Sequence, residues 1–100
     1  MAHYTVTAKP YEETVEELKH RIKAKEFVLL QPFGKALTYS LENARVNEEG
    51  NWVWEELDYC SPPLKEERAQ VLDYYFKILE VMPVEKGEGW SNIEHLPRAV

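Results

Sequence analysis

The stretch "ALTYSLENARVNEEGNWVWEELDY", residues 36 to 59, decides how the rest of the chain is read. In its second arm, "WVWEELDY", Trp52 and Trp54 stand two residues apart, so a strand places both rings on one face. "NEEGN", residues 47 to 51, is turn chemistry, with Gly50 free to take a positive φ. In the first arm Leu37, Tyr39 and Leu41 alternate with Thr38 and Ser40, which predicts a strand, although its beginning also fits a helical turn. Two strands about a short turn make a β-hairpin, and a hairpin implies an antiparallel sheet.

The flanking segments extend that sheet and cover it. "HYTVTA" alternates Tyr4 and Val6 against Thr5 and Thr7, the pattern of a strand. Pro10 follows at a position suited to a first helical turn. Tyr11, Val15, Leu18 and Ile22 then recur at spacings of 4, 3 and 4, one stripe of a helix. Glu12, Glu13, Glu16 and Glu17 fill its first half, while Lys19, Arg21, Lys23 and Lys25 fill its second, which opposes the helix dipole. "FVLLQPF", closed by Pro32, predicts a buried strand. "SPPLKEERAQVLDYYF" predicts a second helix, with Ser61 as its N-cap and prolines in its first turn. "KILEVMPVE" changes to a strand-like period, "KGEG" (residues 86–89) reads as a turn, and "WSNIEHL" reads as a last short strand or irregular tail ended by Pro97.

Strand, helix, strand, hairpin, helix, hairpin predicts an α+β two-layer sandwich, with two helices on a mostly antiparallel sheet. The expected plan is ferredoxin-like with an added strand, in a single domain over residues 1–100.

Composition narrows the function. A net charge of −6 opposes nucleic acid and anionic membranes, both of which need basic surface. The basic run around Lys19 is local. No apolar run approaches the about 20 residues that cross a bilayer, and "MAHYTVTAKPYEE" lacks a basic segment followed by an apolar one. One cysteine allows no internal disulfide and suits a reducing compartment, so the expected location is cytoplasmic.

Cys60, in "DYCSPPLKEER", is the candidate catalytic residue. A thiol near a helix start can be acidified by backbone N–H groups, but Pro62 and Pro63 remove two of them. Asp58, Glu55, Glu56, Glu66 and Glu67 surround it with negative charge, which raises a thiol pKa. The bland alternative is a small apolar residue filling the junction between strand and helix. His3, His20 and His95 lack ligand-pair spacing, so no metal and no cofactor is expected; a metal site would need a cluster of Cys60 or carboxylates that spacing alone does not reveal. Of the carboxylates only Glu80 sits inside an apolar run, and in a strand it faces solvent. "GEG", residues 87 to 89, lacks the third glycine and the helix of a phosphate loop.

The aromatic residues offer the other lead. Trp52, Trp54, Tyr75 and Trp90 are the candidate ligand- or partner-binding residues, because 12 % aromatic content is much to bury in one small core. The expected function is a small acidic binding or regulatory module without catalytic activity. Its partner would be a protein, a second copy in a homodimer, or a small apolar ligand. The alternative is a thiol-dependent enzyme or redox sensor using Cys60, with Tyr59 or a histidine beside it.

Overall fold

The computed structural model describes residues 2–58 and 60–100. Its elements are β1 (Ala2–Pro10), α1 (Val15–Lys23), α2 (Gly34–Glu42), β2 (Arg45–Val46) and β3 (Trp52–Asp58), then α3, β4 (Phe76–Val84) and α4 (Glu88–Ile93). Helix α3 runs over 65–75 in three joined pieces, a turn Lys65–Glu67, a π-helical stretch Arg68–Leu72 and a last turn Asp73–Tyr75. The four strands form one antiparallel sheet in the order β2-β3-β1-β4. The class is α+β. Among the described residues no helix is long and apolar enough to cross a membrane.

Strand β1 lies in the middle, with Val6 opposite Trp54 and Thr5 opposite Glu55. Directly paired residues point to the same side, so Val6, Ala8, Trp52 and Trp54 share one face. That face enters a core with Leu18 and Ile22 of α1, Leu37 and Leu41 of α2, and Val71 and Leu72 of α3. Phe76 closes it, its ring 5.3 Å from those of both Trp52 and Trp54.

The hairpin forms as its turn chemistry requires. Asn47 Oδ1 accepts the N–H groups of Glu49 and Asn51, and Gly50 takes φ 82°. Its first arm, however, is short. The expected strand over 36–46 is helix α2 followed by only two strand residues. Leu37 and Leu41 satisfy either period, but Phe33, Leu37, Leu41 and Ala44 are all buried and recur at 4, 4 and 3, a helical stripe. Tyr39, which the strand reading grouped with the leucines, points outward at 60 % exposure. Ser40 Oγ donates to the Glu55 carbonyl at 2.7 Å, so α2 covers part of the β3 edge that β2 leaves free.

"FVLLQPF" is not a strand either. Lys25 at φ 57° ends α1 and turns the chain back through a run of tight turns. Phe27 and Phe33 are buried at its two ends, and Leu29 between them is 83 % exposed. Gly34 seals the turn, because a β-carbon there would stand 2.4 Å from the Phe27 carbonyl oxygen. The second helix starts at Lys65 rather than at the prolines. Leu64, not Ser61, precedes it, at φ 65°. Helix α4 stands where a last short strand or irregular tail was expected, and the chain beyond Pro97 returns to the sheet instead of trailing away. Val46 donates to the Pro97 carbonyl and Ala99 to that of Ala44, both at 2.9 Å.

Candidate functional site

Two concave places built on β3 combine polar groups with apolar walls. The first lies on the sheet face opposite the main core. There α4 begins over Thr5 and Glu55. Glu55 is 4 % exposed. Its carboxylate accepts the backbone N–H groups of Gly87 at 2.9 Å, Gly89 at 2.8 Å and Trp90 at 3.3 Å. His3 Nδ1 lies 3.4 Å from Oε2, the oxygen that accepts the Gly87 N–H. "KGEG" therefore does cradle an anion, as N–H groups at a helix start can, but the anion is this protein's own glutamate. The turn reading of "KGEG" missed the helix behind it.

Between α2 and α4 the floor of β3 is left open as a groove of about 470 Å³, within the usual range for small-molecule sites. Ala36, Tyr39, Leu57 and Trp90 supply apolar lining, with Lys35 on α2 and Lys86 just before α4. The Tyr39 and Trp90 rings meet edge to face, 6.1 Å apart at 90°. Among the described residues neither lysine has an ion-pair partner. Glu55 also lines the groove, but its oxygens are committed to backbone N–H groups.

Of the four aromatic candidates the groove takes Trp90 alone. Trp54 is fully buried, and Trp52 and Tyr75 nearly so; all three belong to the core and offer no face to a ligand. The reason is the sheet: the face that carries Trp52 and Trp54 is the one covered by α1, α2 and α3. Tyr75 instead ties two helices together. It accepts a hydrogen bond from Arg21 Nη1 at 2.6 Å and donates one to Glu17 Oε2 at 2.6 Å.

The second place is the end of β3. Asp58, Cys60 and Glu67 gather there, at the mouth of a cavity of about 40 Å³ also lined by Pro32, Phe33, Ala36 and Leu57. Asp58 accepts the N–H groups of Cys60 and Leu64, which folds the double-proline turn around its carboxylate. The half-buried Cys60 thiol faces Glu67 Oε1 at 3.8 Å. A backbone hydrogen bond from Glu66 favours the thiolate, but desolvation and the charges of Asp58 and Glu67 outweigh it and raise the thiol pKa. Burial, helped by Asp58, pushes the Glu67 carboxyl up to about 7. Glu56, two residues before Asp58 on the same face of β3, is wholly buried, and desolvation with Glu67's charge raises its pKa strongly. Tyr59, considered as a partner for Cys60, lies outside the described residues. His20 and His95 are exposed, and neither belongs to this cluster.

Sequence reasoning named Glu55, Glu56 and Glu67 only as negative charge around Cys60 and not as buried groups, although a signal for Glu56 existed. It follows Trp54 by two residues, so any strand that buries Trp54 turns Glu56 to the same side. Glu80, the carboxylate that the sequence did single out, is exposed on β4 as expected. No family model, curated protein or solved structure matches this chain.

Proposed function

We propose that this chain is a small acidic, cytoplasmic binding module that takes a ligand with an apolar body and one anionic end into the groove between α2 and α4. The groove itself carries the reading: aromatic and aliphatic walls beside two lysines that lack an internal partner. Rings bury an apolar body, and the two exposed ammonium groups beside them attract an anion at its end. His3 is held against Glu55, and the Ser40 hydroxyl in the groove lining is spent on the Glu55 carbonyl, which favours binding over catalysis.

The succession of helices between strands, with the order β2-β3-β1-β4, supports a ferredoxin-like plan. A protein partner or a second copy is the alternative occupant. It would meet edge strand β4, where Leu79 and Met82 are about half exposed. The thiol-enzyme reading has less support, because the surroundings of Cys60 oppose thiolate formation.

Titration with 1-anilinonaphthalene-8-sulfonate, an aromatic body with one sulfonate, tests the reading. The expected result is one probe bound per folded chain. Trp90→Ala should weaken binding roughly tenfold or more. Replacing both Lys35 and Lys86 with Ala should weaken it and remove most of its salt dependence. Absence of binding, or binding that neither change affects, would overturn the proposal.

A further inference from the structure

The two walls of the groove carry matching side chains at matching levels. On α2, Lys35, Tyr39 and Asn43 follow one another at i, i+4 and i+8, one stripe of a helix. On the facing wall Lys86 stands just before α4, Trp90 lies about one turn further on, and Glu94 caps the end. Tyr39 and Trp90, in edge-to-face contact, also line a second hollow of about 210 Å³ with Asn43, Arg45 and Glu94. The groove therefore continues past its aromatic waist as one cleft between the helices. Its two ends differ in charge. Lys35 and Lys86 make the first end cationic. At the second, Glu94 and Arg45 offset each other, and Arg45 Nη1 is spent on the carbonyls of Glu94 and Leu96 at 3.2 and 2.7 Å. Asn43 Nδ2 donates to the Tyr39 carbonyl at 2.8 Å, which leaves its Oδ1 as an acceptor. That end suits a neutral group with an N–H to donate, as a peptide unit has.

We propose that this cleft binds the C-terminal end of a polypeptide, its carboxylate between Lys35 and Lys86, its apolar last side chain against Trp90, and its preceding peptide units running past Tyr39 to Asn43. The inference rests on the groove being the ligand site proposed above, and it names the class of ligand. Charge sets the direction, because a carboxylate finds two ammonium groups at one end of the cleft only. Length sets the extent. Lys35 and Asn43 stand eight residues apart on α2, about 12 Å at the helical rise, which an extended chain at about 3.3 Å per residue spans with three or four residues. A compact aromatic acid fills only the first hollow. A fatty acid lays its tail on Asn43, Arg45 and Glu94, polar groups that an alkyl chain cannot satisfy. Glu94 is exposed, so a longer chain passes from the cleft into solvent beyond it.

Isothermal titration of the full chain with three probes tests the class: the tetrapeptide acetyl-Ala-Ala-Ala-Phe with a free carboxylate, its C-terminal amide, and acetyl-Phe alone. One tetrapeptide acid per chain is expected, displacing the sulfonate probe and bound about tenfold or more tighter than the amide or acetyl-Phe. Asn43→Ala should remove most of the tetrapeptide's advantage while leaving acetyl-Phe unchanged. Equal affinity for acid and amide overturns the proposal, as does a tetrapeptide that binds no tighter than acetyl-Phe. An Asn43→Ala change that weakens both ligands alike overturns it too. In each of these cases binding of the sulfonate probe shows that the groove reading itself survives, whereas failure of the sulfonate and all three probes ends both. Should Asn43→Ala not fold, the three probes on the wild-type chain decide alone.

Discussion

Glu55 of β3 holds the start of α4 from below: its Oε1 accepts the Gly89 N–H at 2.8 Å, and a β-carbon on Gly89 would stand 2.9 Å from that same oxygen. Three N–H groups of the turn and helix start thus find their acceptor on another element of the fold. The wall of the groove that carries Trp90 depends on this one carboxylate.

Glu55→Gln replaces one accepting oxygen with a donor that opposes the Gly87 N–H. The expected loss is about 1.5–3 kcal/mol of folding stability, the usual range for hydrogen bonds to a charged group. Hydrogen exchange at the Gly89 and Trp90 amides should accelerate more than exchange in β1. Equal acceleration everywhere would mean that Glu55 does not anchor α4 locally.

The two tightly packed glycines should rank in a definite order. In Gly89→Ala the new methyl meets the Thr5 hydroxyl at 2.6 Å, and side chains can yield, so about 1–3 kcal/mol is expected. In Gly34→Ala it meets the backbone carbonyls of Phe27 and Val28 at 2.4 and 2.7 Å. Backbone yields less readily, so urea unfolding should place Gly34→Ala below Gly89→Ala. The reverse order would refute the close packing at Gly34.

Trp54 and Trp90 should separate stability from binding. Trp54→Ala empties a fully buried site and leaves Glu56 Oε1 without its donor; roughly 3–5 kcal/mol should be lost. Trp90 is half-buried, so Trp90→Ala should cost less stability yet weaken the sulfonate probe more. Chemical denaturation and probe titration on the same two variants check both halves of the statement.

Tyr75 gives a pH dependence. Burial, then its bond to Glu17, raises its pKa above the ordinary 10, against the opposing effect of Arg21. The folded state therefore keeps the phenol proton after the unfolded chain has lost it. Sign follows from linkage: this contribution is intact below pH 10 and fades as pH climbs from there through the raised folded pKa. Tyr75→Phe should lower stability at neutral pH by about 1–2 kcal/mol, since Arg21 and Glu17 lose a shared partner. It should also flatten the alkaline decline. An unchanged slope between pH 9 and 11 would contradict the assignment.

Much of the architecture is legible in the sequence. β1, β3, β4, the body of α1 and the 47–51 turn follow from local pattern, because the alternation in their strands, the 4-3-4 stripe and the Asn–Gly-rich turn meet no competing period there. Residues 27–46 were not legible in the same way. Leu37 and Leu41 fit a strand and a helix alike, and only the burial of Phe33 and Ala44 beside them shows which period governs. α4 has six residues, too few for a periodic signal.

The candidate sites were less legible than the fold, for a related reason. Whether a glutamate is buried depends on what lands on it, and that is a tertiary fact. The sequence by itself determined the class, the central strands, the acidic surface and the carboxylates clustered around Cys60. The tertiary structure alone decided that Glu55 is consumed as a helix anchor, that Trp52 and Trp54 face inward while Trp90 lines a groove, and that Glu56 lies buried with an unpartnered oxygen. Local propensity acts over a few residues, whereas burial is set by elements that meet from distant parts of the chain.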